Sequence, residues 1–244
     1  MLNIKWVALL MFTGFVLVSC DPADTNDPDM DVDSYESYRY ELWKLMKGKG
    51  YDVDFVGTQV DDGTYDLFNG ESFDADHEGI GGLEADQLLG NLNDVLPNID
   101  KPDMVLLCIG GNDLLGSDPV QGVIDTIGLI LERIHQFDEN IVVFIEQIAP
   151  GNNELMTDEF QAAITEFNEK IAILASSWVG SQNIYSVDMY TGFTEDLLAD
   201  DVHYNEEGAL EIAARYADAI NLVFDLGAYK ILPLGDSRVE GAHP

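Results

Sequence analysis

Five times between residues 35 and 234, a stretch of helical periodicity is followed by a short apolar run. The helical stretches are Tyr35–Lys47, Glu84–Leu96, Val120–Gln136, Asp158–Ser176 and Glu206–Phe224. In the first, Tyr38, Leu42, Leu45 and Met46 fall on one side of a helix. The apolar runs are Val53–Val56, Met104–Ile109, Ile141–Ile145, Asn183–Val187 and Lys230–Leu234. Runs this short and this apolar suit strands buried on both faces, so the alternation specifies a parallel sheet covered by helices on each side. The expected architecture is α/β: a doubly wound, five-stranded parallel sheet in three α/β/α layers. Residues 57–82 are rich in Gly and Asp and read as one long loop, a length usually reserved for function. The order is unusual, because a doubly wound fold normally starts with a strand, whereas this one starts with a helix and finishes with a strand.

Composition narrows the partners. The chain carries 46 Asp+Glu against 11 Lys+Arg, a formal charge of −35. With 46% hydrophobic residues it still has the material for a full core, so the charge does not mean disorder. Nucleic acid is excluded as a partner, because phosphate binding needs clustered Lys and Arg. An anionic lipid surface held by basic patches is excluded on the same ground. Polyanionic substrates are disfavoured, whereas a neutral polymer or a small neutral ester is compatible.

Residues 1–19 do not read as part of the fold. Trp6–Val18 is an apolar run short for a membrane span, and it leads into Leu17-Val18-Ser19-Cys20. This resembles a bacterial lipoprotein signal, which implies cleavage before Cys20 and lipidation of that residue. An ordinary secretory signal and an N-terminal anchor helix are the alternatives, and all three place the domain outside the cytoplasm. The implied location is the bacterial cell envelope, with the membrane contacted only through the lipid. Residues 20–34 then form an acidic tether, kept extended by like charges and Pro. A calcium loop counted from Asp27 would need Gly at its sixth position, where Val32 stands, so the solvated tether is preferred. The catalytic or binding domain is expected over residues 35–244. Cys108, in an apolar run, reads as a small buried hydrophobe rather than half of a disulfide.

In doubly wound folds ligands gather at the carboxyl ends of the strands. After Met104–Ile109 comes Gly110-Gly111-Asn112-Asp113, and after Lys230–Leu234 comes Gly235-Asp236-Ser237-Arg238. Asp200-Asp201-Val202-His203 lies between the fourth strand and the last helix. Ser237 can be a nucleophile, His203 its base and Asp200 the orienter of that base. Asn112 offers a side-chain N–H₂, and a Gly backbone can come close to an oxyanion. Each element alone is a common turn or cap; their joint position at strand ends gives them meaning. No metal-ligand spacing is present and this chemistry calls for none, so no cofactor is expected.

These blocks resemble the SGNH/GDSL hydrolase family. Gly235-Asp236-Ser237 resembles its nucleophile block, Gly110-Gly111-Asn112-Asp113 its Gly-x-Asn-Asp block, and Asp200-Asp201-Val202-His203 its Asp-x-x-His block. The remaining block supplies a Gly N–H, matched by Gly82 in His77-Glu78-Gly79-Ile80-Gly81-Gly82. Within the family the likeness is strongest to the acetylxylan esterases of carbohydrate esterase family three, through Tyr38–Leu42, Val53–Gln59, Asp76–Gly79 and Ile109–Leu115. The resemblance implies a flavodoxin-like fold and a Ser237–His203–Asp200 triad. It also implies an oxyanion hole of the Ser237 and Gly82 N–H groups and the Asn112 side chain. The implied reaction is hydrolysis of short acyl esters, acetyl above all, on xylan or related carbohydrates. A broad short-chain carboxylesterase or a lysophospholipase-type lipase is the alternative, though no large apolar lid segment is evident. A surface lipoprotein that binds glycan without cleaving it is the alternative outside catalysis.

The chain departs from the family in block order, for the nucleophile block comes last instead of first. Moving Lys230–Pro244 ahead of Tyr35 restores the family order, so the chain resembles a circular permutant. The sheet order expected from this is 53–56, 230–234, 104–109, 141–145, 183–187. Arg238 stands where the family has an apolar or small residue, Asp201 where Gly is usual, and Leu83-Glu84 replaces the usual pair after the loop Gly. These bear on pocket shape and charge. His77 either lines the cleft or makes a structural loop bond, His135 reads as a cation at a helix C-terminus, and His243 is a rival base to His203. Tyr35, Tyr38, Tyr40 and Trp43 are either a sugar-stacking surface or, as their helical spacing suggests, core and flank. Asp113, Asp201 and Asp236 read as turn or supporting groups.

Overall fold

The computed structural model describes residues 37–61, 63–178 and 183–241. The signal, Cys20, Tyr35, the tether and His243 therefore lie outside the described residues. In chain order the elements are helix α1 (Tyr38–Lys49), strands β1 (Asp52–Phe55), β2 (Gln59–Val60) and β3 (Asp76–Gly79), and helix α2 (Ala85–Val95). Strand β4 (Met104–Cys108), helices α3 (Gly111–Leu115) and α4 (Val120–Phe137), strand β5 (Val142–Gln147) and helix α5 (Asp158–Ser177) follow. The order closes with strand β6 (Ile184–Asp188), helix α6 (Glu206–Val223), strand β7 (Ala228–Gly235) and the four-residue helix α7 (Ser237–Glu240).

The five apolar runs pair in the order β1-β7-β4-β5-β6, all parallel, as the block order leads one to expect. β7 thus comes last of the strands but fills the interior of the sheet, with Val105 against Leu232 on one edge and Phe55 against Ile231 on the other.

The expected five strands become seven, because residues 57–82 are not one loop. β3 adds to β7 in parallel through Glu78–Leu234 and Gly79–Gly235, and β2 pairs antiparallel to β3, which makes the sheet mixed. The cause is an edge left open: β1 ends at Phe55, opposite Ile231, so the last turns of β7 need another partner. Asp76-His77-Glu78-Gly79 lacks the apolar or β-branched character that reads as strand.

Successive strand residues point to opposite faces, and this builds two cores. Val105, Leu107, Val143, Ile145, Leu232 and Leu234 pack on one side under α2, α4 and α5 with Leu92, Ile127, Leu131 and Phe167. Met104, Leu106, Cys108, Phe144 and Ile231 pack on the other under α1 and α6 with Leu42, Met46, Ile212, Tyr216 and Ile220. The result is the expected three-layer α/β/α arrangement. Among the described residues no helix is long and apolar enough to cross a membrane.

Of the candidate sugar-stacking aromatics, Tyr38, Tyr40 and Trp43 belong to the fold. Tyr38 and Trp43 are buried, and Tyr40, Trp43, Tyr65, Phe68 and Phe73 stack on one another, pinning residues 65–73 to α1.

Arg39, fully buried, holds α7 from this side. Its Nε donates to the Val239 carbonyl at 2.8 Å and its Nη2 to the Glu240 carbonyl at 2.8 Å and to Asp61 Oδ2 at 2.7 Å. The two carbonyls are orphan acceptors at the end of a helix, where a cation is favourable.

Glu146 is the unusual residue of the α1/α6 core. It is 1% exposed and its Oε1 accepts the Tyr216 hydroxyl at 2.7 Å. Burial pushes its carboxyl up to about 7, against the hydrogen bonds from Tyr216 and the Cys108 thiol. An acid raised in the folded state stabilises the fold when protonated, and that stability is lost as pH rises from the unfolded value through the folded one. Glu146→Gln keeps an acceptor for Tyr216 and removes the ionisation. Thermal melts of the variant and the unaltered protein should therefore diverge in favour of the variant between about pH 5 and pH 8. A gap that stays constant or narrows over that range would contradict the burial cost.

Candidate active site

β7 delivers the nucleophile through a turn that admits only glycine at one point. A Cβ on Gly235 would lie 1.9 Å from the Cys108 carbonyl oxygen, so only glycine lets β7 end this tightly against β4. Asp236 then caps α7, its Oδ1 accepting the Arg238 N–H at 3.0 Å. Ser237, the first residue of that helix, is half-buried.

His203 sits on a loop closed on itself. Leu198 and Tyr204 form a bridge across its base, and the Ala199 N–H donates to the His203 carbonyl at 2.8 Å. Inside the loop, Asp200 Oδ1 accepts the N–H groups of Val202 at 2.8 Å and His203 at 2.7 Å. Its Oδ2 lies 2.6 Å from His203 Nδ1. Partial burial works to raise the Asp200 carboxyl, but the two backbone donors and the imidazole outweigh it and hold it below its ordinary value. An ionised carboxylate can only accept, so Nδ1 carries the ring proton and Nε2 presents a lone pair. That Nε2 lies 2.8 Å from Ser237 Oγ. Residues 200, 203 and 237, singled out from the sequence, thus form one continuous hydrogen-bonded line.

The other two candidates border it. Asn112 lies in the first turn of α3 and its Nδ2 donates to the Leu83 carbonyl at 3.0 Å, leaving a second N–H. Gly82 precedes that leucine with φ +72°, a conformation that favours glycine. A Cβ on Gly81 would lie 4.0 Å from the Ser237 Cβ, so this loop runs beside the nucleophile. Asp113 ties the two loops together, both its oxygens accepting the Ala85 N–H at 3.2 and 3.1 Å.

A cavity of about 30 Å³ at Ser237 is lined by Asn112, Leu115, Ile148, Phe160, Ile164 and Arg238 among others. Through Gly151 it adjoins a wider cleft of about 470 Å³ that includes Asn153, Gln161, Tyr190, Phe193 and Glu195. Through Leu115 and Phe160 it adjoins an apolar groove of about 490 Å³. These lining residues come from α3, α5, α7 and the loops after β5 and β6, and no local pattern marks them in the sequence.

The remaining histidines stand apart. His77 is buried, its Nδ1 accepting the Gly79 N–H at 3.1 Å, and burial followed by the nearby Arg39 pushes it down to about 4, so it is neutral and structural. Glu78 beside it accepts from the N–H and hydroxyl of Thr58. His135 is bonded to the Ile141 carbonyl beyond its own helix. Asp201 accepts from Asn152 and so braces the loop after β5 against the His203 loop. Among the described residues no cluster of His, Cys, Asp and Glu could hold a metal.

A hydroxyl, a base, an oriented carboxylate and neighbouring N–H donors are the parts of an acyl-transfer site. The sequence profile of the GDSL-like lipase/acylhydrolase family matches residues 50–210. The chain belongs to that family. A family 3 carbohydrate esterase from Talaromyces cellulolyticus is similar to it at 26% identity and TM-score 0.65, over 77% of this chain and 91% of that one. An acetyl esterase mutant bound to an acetate ion is similar at 25% identity and TM-score 0.67, with the same coverage of 77% and 91%. A Clostridium thermocellum family 3 carbohydrate esterase is similar at 26% identity and TM-score 0.61, over 76% of this chain and 86% of that one. No curated protein sequence matches. As a GDSL protein with carbohydrate esterase neighbours, this one is an esterase of the acylhydrolase type.

Proposed function

We propose that this GDSL esterase removes acetyl groups from xylan or a related carbohydrate. The observation that carries the reading is the unbroken line from Asp200 through His203 to Ser237, at 2.6 and 2.8 Å. In the proposed reaction Ser237 Oγ attacks the acyl carbon as its proton passes to His203 Nε2. The resulting oxyanion is held by the N–H groups of Ser237 and Gly82 and by the Asn112 amide. Collapse breaks the bond to the sugar oxygen, which leaves with the proton from His203. Water then repeats the sequence on the acyl-Ser237, releasing acetate and restoring the hydroxyl.

The acyl preference is supported by size. The cavity at Ser237 is small, about 30 Å³, which suits a short acyl group better than a long one. The adjoining cleft of about 470 Å³, with planar polar side chains and Tyr190, suits a sugar leaving group. The net charge of −35 disfavours anionic polymers and leaves neutral ones. A broader acyl range is the second reading, favoured by the apolar groove beyond Leu115 and Phe160.

Ser237→Ala should abolish hydrolysis of p-nitrophenyl acetate and labelling by a fluorophosphonate, and Asp200→Asn should lower kcat by about 10⁴ by offering the wrong tautomer. Retained turnover in Ser237→Ala removes the assignment. The unaltered protein should prefer acetyl to octanoyl esters and release acetate from acetylated xylan; preference for octanoyl would favour the second reading, and binding of xylan without turnover a non-catalytic one.

We further propose that the chain is a circular permutant of the family arrangement. Four observations support this: β7 follows every other strand yet lies between β1 and β4; the family match ends at residue 210, ahead of Ser237; a Cβ on Gly241 would lie 2.8 Å from the Ser37 Cβ; and Ser37 Oγ donates to the Val239 carbonyl at 2.8 Å. A chain with residues 228–241 joined by a short link ahead of Ser37 should fold and retain esterase activity. An unfolded product by circular dichroism would count against the permutation.

On the residues outside the described structure, the proposal is a lipid on Cys20 and a tether over 20–34 that hold the enzyme in a bacterial envelope, outside the cytoplasm. In a bacterial host, Cys20→Ser should move the protein from the membrane to the soluble fraction and end its labelling by a palmitate analogue. Undiminished labelling would refute the anchor.

A further inference from the structure

Arg238 follows the nucleophile directly and is only 8% exposed. Among the described residues no carboxylate lies within ion-pair distance of it. Taking a guanidinium out of water in that condition is costly unless other polar groups replace the water. Its partners are specific. Nε donates to the Val202 carbonyl at 2.9 Å, Nη1 donates to the Ala149 carbonyl at 3.1 Å, and the guanidinium carbon lies 5.3 Å from the centre of the Tyr204 ring. Val202 and Tyr204 are the residues on either side of His203. Farther off, the buried carboxyls of Asp236 and Glu146 attract the charge.

We propose that Arg238 is a positioning residue, which holds the His203 loop from below so that the imidazole stays aligned with Ser237. Asp200 braces that loop from its outer side, where its own side chain is 40% exposed. Arg238 supplies the inner brace, and because it shares α7 with Ser237, one four-residue helix carries both the nucleophile and the clamp on its base. The fork of a guanidinium reaches two carbonyls in fixed directions while its charge sits over an aromatic ring, which an ammonium cannot reproduce. The Ala149 carbonyl, just after β5, anchors the arrangement to the sheet.

The inference rests on the proposed acyl transfer at Ser237, and its test reads the base as well as the reaction. Kinetics with p-nitrophenyl acetate are compared with the far-downfield proton resonance of His203 Nδ1–H, which needs no substrate. Arg238→Met should lower kcat about a hundredfold, the scale of a misplaced reacting group, with KM little changed and the resonance broadened away. Arg238→Lys should show a smaller loss in the same direction. Methylguanidinium added to Arg238→Ala should restore part of the lost kcat. An unchanged kcat, or a raised KM with kcat kept, in Arg238→Met overturns the proposal. Should that variant fail to fold, full kcat with an intact resonance in Arg238→Lys overturns it instead. If the unaltered protein hydrolyses no ester but its resonance is lost on Arg238→Lys, the functional reading fails while the positioning role stands.

Discussion

The site depends on β7 being paired along both edges. That strand joins β4 on one side and β1 with β3 on the other, so its carboxyl end is held in the middle of the sheet. Backbone hydrogen bonds on two edges and side chains buried on two faces leave the residues after Gly235 little freedom. Ser237 inherits that rigidity, and a nucleophile aligned with its base to a few tenths of an ångström needs it. β4 performs the same service for Asn112, and β3 for the loop at Gly82.

The buried polar groups make sense as the fixings of one short helix. A four-residue α7 has almost no stability of its own, since helix nucleation is unfavourable. Arg39 closes its last carbonyls from the α1 side, Arg238 ties its first turn to the His203 loop, and Asp236 caps its start. Glu146 contributes a carboxyl in the same core, held by Tyr216 and raised by burial to about 7. A chain with few basic residues thus places two of them in the interior around its nucleophile. The negative surface is left to solvent, and the positive charges are used where carbonyls must be gathered.

What was legible in the sequence follows a physical division. The triad could be read because each member stands at a strand end or in a short local turn, as Asp200 and His203 do three residues apart. The position of β7 could be read because block order, rather than any contact, betrays it. β3 could not, since Asp76–Gly79 pairs by filling an edge that exists only once β1 has stopped at Phe55. Nor could Glu146, which follows an apolar run where strands usually surface. It is buried because Tyr216, seventy positions away, brings it a donor. Arg238 reads only as a departure from a family pattern, because its carbonyl partners lie 36 and 89 residues distant. Contacts set by local chain geometry leave a signal in the sequence, whereas those set by the assembled sheet do not.

The same reasoning bears on the proposed permutation, in which block order would change while geometry does not. Lys230 and Asp54, on adjacent strands, are 176 residues apart in this chain. Joining Gly241 to Ser37 would bring them within a few tens of residues. A loop roughly six times longer costs only about 1.5 kcal/mol more to close, because closure entropy grows with the logarithm of length. Against that stand Ile231, Leu232 and Leu234 of β7, all fully buried, and each such side chain contributes about 1.5–3 kcal/mol. Packing outweighs connectivity severalfold, so the strand occupies the centre of the sheet wherever it comes in the chain. What it must carry with it is the turn at Gly235 and the residues to Gly241, because the nucleophile, its clamp on the base and the contact with α1 all lie within that one segment.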